Sequence, residues 1–135
     1  HNLETVQSHY SSVRPGANYY HSLDILKSFK EICPNVFTKS GIMIGLGETF
    51  SEIKNLMDDL RFNDVDFITI GQYLRPSKNH HPVIEYHKPE YFNKLYEEAM
   101  SRGFKIASSS PFTRSSFHAS KDFEKLKKIV NSNNA

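Results

Sequence analysis

Apolar residues along the chain recur with two periods, and the alternation between them predicts its elements. In residues 17–34, ANYYHSLDILKSFKEICP, either Leu23, Leu26 and Phe29 or Ile25, Phe29 and Ile32 fall on one helical stripe. Asn18 is placed to cap that helix and Pro34 to stop it. The run VFTKSGIMIGL, Val36 to Leu46, is β-like, and its nearly continuous apolar second half predicts a strand covered on both faces. Thr49-Phe50-Ser51-Glu52 has the form of a capping box, and Ile53, Leu56, Met57 and Leu60 make one stripe behind it. DFITIGQYL, Asp66 to Leu74, is rich in β-branched and aromatic residues and predicts a second strand.

Beyond the polar loop RPSKNHHPVIEYHKPE, Pro89 suits the first turn of a helix carrying Phe92, Leu95, Tyr96, Ala99 and Met100 and closed by Gly103. A short strand, FKIAS, and a polar segment, SSPFTRSSFHAS, precede a last helix with Phe123, Leu126, Ile129 and Val130. The tail NSNNA is expected to fray. Helices and strands thus alternate with mostly short connections, which favours an α/β fold with parallel strands joined by crossovers. About three strands are few for an independent sheet of this kind, since its edges need pairing. A small open sheet and a slice of a barrel both satisfy the pattern.

Composition narrows the function classes. The 135 residues, 38% hydrophobic and 13% aromatic, are enough for a real core. Seventeen Lys and Arg against fifteen Asp and Glu leave a formal charge of +2 without a basic run, so nothing points to a nucleic-acid surface. No apolar run approaches the roughly 18 residues that cross a bilayer, and HNLETVQSHY has neither a basic leader nor an apolar signal core. The abrupt opening without Met leads to the expectation that upstream sequence is missing. A lone Cys33 rules out an internal disulfide and fits a reducing compartment.

The stretch GIMIGLGE, Gly41 to Glu48, places three of the six glycines in eight residues at the expected strand end. Ligands of α/β sheets collect beyond the carboxyl ends of strands, and glycine there lets backbone approach a ligand closely. A tight strand-to-helix turn that binds nothing meets the same spacing. A phosphate loop fits poorly, because no GK[ST] follows and Glu48 would sit beside the anion. If a ligand is present, a flat or cationic group with hydroxyls suits Glu48 better.

HNLETV (1–6), VRPGANY (13–19), TKSGIMIGLGE (38–48), DFITIGQYLRPSKNHHPV (66–83) and above all SSSPFTRSSFHA (108–119) together resemble the C-terminal half of the lipoyl synthase family of radical S-adenosylmethionine enzymes. The likeness runs over nearly the whole chain and weakens in the last helix. It implies the C-terminal part of a partial (β/α) radical-SAM barrel over residues 1–103 and a C-terminal extension over 104–135. Gly41, Gly45 and Glu48 match the family's GxIxGxxE element, with Met43 in place of the isoleucine, at the adenine side of S-adenosylmethionine. By the same resemblance Asn2 and Glu4 meet the ribose or the amino-acid part, Arg14 the cofactor carboxylate by a charge-assisted pair, and Tyr73 the adenine. Ser116 is implied as the serine ligand of an auxiliary 4Fe-4S cluster, and Arg114 as the group that stabilises its ionised oxygen or orients the cluster region. An oxygen ligand is a poor match for iron otherwise held by thiolates, so that site is expected to be labile, as befits a sacrificed sulfur source.

The family needs a CxxxCxxC motif and three further cysteines for two 4Fe-4S clusters, and Cys33 alone supplies neither. The chain by itself is therefore expected to be inactive and to hold no cluster stably. The intact enzyme is implied to insert two sulfur atoms into an octanoyl chain on a lipoyl carrier domain, such as an acyltransferase subunit of a 2-oxoacid dehydrogenase or the glycine cleavage H protein. Its electron donor would be a ferredoxin or flavodoxin, and its compartment the bacterial cytoplasm or a mitochondrial or plastid matrix. His80, His81 and His87 share one loop, yet adjacent histidines rarely meet one ion, so a solvated loop is expected rather than a metal site. His118 either lines the auxiliary-cluster side or is a surface imidazole. Two rivals are a non-catalytic α/β module binding a nucleotide-like ligand or a protein, and a biotin-synthase-like sulfur inserter, which should lack RSSF.

Overall fold

The structure is a computed structural model and describes residues 1–114. Ser116, His118 and the expected last helix lie outside the described residues. The described residues form a parallel sheet of β1 (Lys39–Ile44), β2 (Phe67–Gln72) and β3 (Ile106–Ser109), in that order. Its helices are α1 (Tyr10–Val13, after a 3-10 turn at Gln7–His9), α2 (Tyr19–Ile32), α3 (Phe50–Phe62) between β1 and β2, and α4 (Pro89–Ser101) between β2 and β3. β3 follows residue 103, so the sheet continues into the segment expected as an extension. Among the described residues no helix is long and apolar enough to cross a membrane.

Local chemistry sets the helix starts. Asn18 Oδ1 accepts the His21 N–H at 3.0 Å. Thr49 Oγ1 accepts the Glu52 N–H at 3.1 Å while Glu52 Oε1 accepts the Thr49 N–H at 2.9 Å, completing the capping box. Pro89 occupies the first turn of α4, where its missing N–H has no helical partner to lose. Thr49→Ala removes one of the reciprocal bonds and is expected to lower unfolding free energy by about 1 kcal/mol in urea denaturation, with an unchanged m-value.

The register sorts the two sheet faces. Ser40, Ile42 and Ile44 pair with Ile68, Ile70 and Gln72, while Lys39, Gly41 and Met43 pair with Phe67, Thr69 and Gly71. Ile42, Ile44, Ile68 and Ile70 join one buried cluster with Ile53, Leu56, Met57 and Leu60 of α3 and Phe92, Leu95 and Ala99 of α4. Alternation puts Gly41, Met43, Thr69, Gly71 and Ser108 on the opposite face, with Phe67 and Ile106 at its amino end, so that small and polar groups gather toward its carboxyl end. The stripe of α2 is buried only through Tyr19, Leu23 and Leu26, whereas Ile25, Phe29 and Ile32 are exposed, and Tyr96 and Met100 of α4 are about 40% exposed.

β1 is shorter than the apolar run because tertiary groups end it. The Asp66 carboxylate takes the Thr38 N–H at 2.9 Å before its first residue, and Gly45 turns to φ +106° after its last. On the free edge of β1, the Glu4 N–H donates to Gly41 O and Glu4 O accepts from the Met43 N–H, both at 2.9 Å, an isolated parallel bridge. The Leu3 N–H donates to Ser40 Oγ at 3.0 Å in support. Glu4 holds φ +72°, a conformation that costs energy for a residue with a Cβ.

Candidate functional site

A cleft of about 390 Å³ opens on the small-residue face of the sheet. Asn2 and Glu4 flank it from the free edge of β1, Gly41 and Met43 from β1, Thr69 and Gly71 from β2, and Thr113 and Arg114 from the segment after β3. Sequence positions more than a hundred residues apart meet here because the parallel register lines them up. A Cβ on Gly41 would lie 2.2 Å from Thr69 Oγ1 and 3.2 Å from Asn2 Oδ1, so the missing side chain is what lets the Thr69 hydroxyl and the Asn2 amide approach the cleft floor. The cleft carries one carboxylate, Glu4, and one guanidinium, Arg114, besides the Asn2 amide and the Thr69 hydroxyl. Opposite charges with neutral donors and acceptors suit a zwitterionic ligand that also presents hydroxyls.

Four of the expected site residues converge on this cleft: Asn2, Glu4, Gly41 and Arg114. Four others are placed elsewhere. Arg14 Nη1 reaches Asn2 O at 3.4 Å, Leu3 O at 3.3 Å and Tyr10 Oη at 3.1 Å, and its guanidinium lies over the Tyr10 ring at 5.3 Å. It braces the backbone that carries Asn2. Tyr10 also donates to Leu3 O; burial pushes its phenol up and outweighs the opposing Arg14 contact, so it remains a donor at neutral pH.

Gly45 is enclosed by protein, since a Cβ there would meet Gln72 Nε2 at 2.4 Å and Glu85 O at 2.5 Å. The loop after β2 closes over that strand end. Gly45 O accepts from the Ile84 and Glu85 N–H groups, and the Gln72 amide donates to Glu85 O and accepts from the His87 N–H, each at 3.0 Å. Glu48 folds back on its own turn: its carboxylate accepts from the Gly45 N–H at 3.0 and 3.2 Å and from the Leu46 N–H at 3.3 Å. Tyr73 donates its hydroxyl to His81 O at 2.7 Å, within the same loop. Gly45 therefore serves close protein packing and Gly47 a positive φ, and Gly41 alone of the quoted glycines lies on the cleft face, where it makes room for Thr69 and Asn2.

The histidines separate in the same way. His80 pairs with Ser77 Oγ at 2.8 Å and His81 with Pro82 O at 2.7 Å, both on the exposed loop. The His87 side chain instead is 8% exposed and stacked on Tyr91 at 4.2 Å, with Nε2 3.9 Å from Glu48 and Nδ1 3.9 Å from Glu85. Burial, then the Glu48 and Glu85 charges, raises the Tyr91 phenol. No group of three or more His, Cys, Asp or Glu side chains is placed to hold a metal ion among the described residues. Cys33 is a free, partly buried thiol at the end of α2.

Sequence reasoning passed over Thr69, Gly71 and Thr113. Strand alternation was the available signal for the first two, because Thr69 and Gly71 are spaced by two in FITIGQ, but which β1 residues they face depends on register. No protein-family model matches the chain.

Proposed function

We propose that the chain is the C-terminal half of a lipoyl synthase and that the cleft binds S-adenosylmethionine. One observation carries this reading: Asn2, Glu4, Gly41 and Arg114, drawn from three separate stretches of the resemblance, line a single cleft. Glu4 accepts from the ribose hydroxyls, with the Asn2 amide beside it, and its bridge to β1 fixes its position before the ligand arrives. The resemblance gave the cofactor carboxylate to Arg14 and the auxiliary-cluster region to Arg114; in this reading Arg114 takes the carboxylate instead, because it lines the cleft while Arg14 braces residues 2 and 3. The Gly41 face admits the ligand against the sheet, and the loop clasped over Gly45 fixes the neighbouring strand end.

The described residues do not fit an iron-sulfur cluster, having one thiol and no other grouped donors. In this reading both 4Fe-4S clusters depend on cysteines outside the chain, with Ser116 completing the auxiliary one. The whole enzyme inserts two sulfur atoms into a protein-bound octanoyl chain, using a lipoyl carrier domain as substrate and a small electron-transfer protein as donor. The test is the protein expressed with its upstream coding sequence, reconstituted with iron and sulfide. About eight irons per chain are expected. S-adenosylmethionine, dithionite and an octanoyl-lysine peptide should then give the doubly sulfurated peptide by mass spectrometry. A well-folded protein with no iron above background, and no sulfurated peptide, overturns the reading.

A further inference from the structure

Gly71 stands where two parts of the chain cross, and its requirement is for space. Its φ is not in the left-handed region, so backbone conformation does not call for glycine there. The segment after β3 turns back over it: the Ser110 N–H donates to Ile70 O at 3.2 Å, the Gln72 N–H to Pro111 O at 3.4 Å, and the Thr113 N–H to Ser110 O at 3.2 Å. Thr113 Oγ1 is locked against Ser110 Oγ at 2.8 Å and Ser108 Oγ at 3.3 Å. A Cβ on residue 71 would lie 2.1 Å from Thr113 O, 3.1 Å from the same carbonyl carbon and 3.0 Å from Arg114 Nη1. A carbonyl fixed in a turn has no rotamer by which to move aside. That same Thr113 O accepts the Arg114 Nη1 hydrogen at 2.7 Å. The atom a methyl would displace is therefore the nearer of the two carbonyls that orient the guanidinium, the other being Pro111 O at 3.4 Å.

We infer that Gly71 is a positioning residue, whose bare Cα seats the Thr113 carbonyl on the sheet and through it holds the Arg114 guanidinium at the cleft. The functional side of this inference rests on the S-adenosylmethionine reading above; the seat itself does not.

Two measurements separate the two claims. In hydrogen exchange on the ligand-free 135-residue chain, Gly71→Ala should speed exchange of the Gln72 and Thr113 amides at least about tenfold while α3 keeps its protection. Unchanged exchange at both amides overturns the seat. In equilibrium dialysis with S-adenosylmethionine on the upstream-extended, reconstituted protein, Gly71→Ala and Arg114→Ala should each weaken binding by about tenfold. The double variant should be no weaker than the worse single one, because both remove one arrangement. Full affinity in Gly71→Ala, or losses that simply multiply, overturns the positioning role. If the parent protein binds no S-adenosylmethionine, the cofactor reading falls and the exchange result still judges the seat. Should Gly71→Ala fail to fold, the parent decides alone: bound S-adenosylmethionine must slow exchange at Thr113, and no change there overturns the link.

Discussion

Asp66→Asn is expected to lower unfolding free energy at pH 7 by about 2 to 3 kcal/mol, the cost of removing one partner of a largely buried ion-paired network. Asp66 is 4% exposed, and one oxygen takes Lys30 Nζ at 2.6 Å and the Thr38 N–H at 2.9 Å while the other lies 3.3 Å from Lys105 Nζ. It ties the C-terminal half of α2, the entry to β1 and the entry to β3 to the start of β2. Burial alone would raise its carboxyl; the Lys30 and Thr38 hydrogen bonds and the two ammonium charges outweigh it and hold the group below its ordinary value of 3.8. Because the folded value is the lower one, this stability is fully present above the unfolded value and is lost as pH falls through the folded one. Urea denaturation from pH 7 to pH 3 should show the parent losing stability below about pH 4, with the Asp66→Asn variant flatter across that window. Parallel pH profiles, differing only by an offset, would show that the carboxylate is not the responsible group.

Such a network was not legible from DFITIGQYL read as a strand starting at Asp66, and the reason is general. The capping box at Thr49 and Glu52, the Asn18 cap and the Pro89 start were readable because each depends on residues within one turn. The α3 stripe was readable in full because α3 packs along its whole length, with Ile53, Leu56, Met57 and Leu60 all buried. The stripe of α2 fits two sets of residues, and only packing chooses: Leu23 and Leu26 go inside while Ile25 and Ile32 stay exposed. Strand ends depended on distant groups, Asp66 at one end of β1 and the turn at Gly45 at the other.

Much the same division runs through the cleft. Glycine content drew attention to Gly41, Gly45 and Gly47 together, but their demands differ physically. Gly45 and Gly47 need positive φ, at +106° and +103°, and lie under or beside the loop that carries Ile84 and Glu85. Gly41 needs room on the cleft face, and so does Gly71, which no motif spacing marked out. Glu4 was named through the resemblance; its bridge to β1, which aims the residue, appears only when the register is known. Parallel strands were expected from the alternation of elements, but their register, invisible in one sequence, is what turned separated residues into one site.

Gly41→Ala tests that site most directly, because the same methyl group acts on stability and on binding by different routes. Its Cβ would lie 2.2 Å from Thr69 Oγ1, below any tolerable contact, and Thr69 is β-branched and 3% exposed, so the hydroxyl has little freedom to retreat. Overpacking of this kind costs about 1 to 3 kcal/mol. Thr69→Ala removes the clashing oxygen, so the Gly41→Ala/Thr69→Ala double variant should recover most of the lost stability in thermal melting. Affinity should not recover with it, because the methyl still occupies the cleft floor beside Asn2. Under the proposed function, S-adenosylmethionine binding to the reconstituted, upstream-extended protein should fall by about a hundredfold in both variants, equivalent to about 2.7 kcal/mol. A double variant that melts like the parent and binds S-adenosylmethionine like the parent would place the ligand off this face of the sheet. Stability restored while binding stays lost separates the role of Gly41 at the cleft floor from its role in making room for the Thr69 hydroxyl.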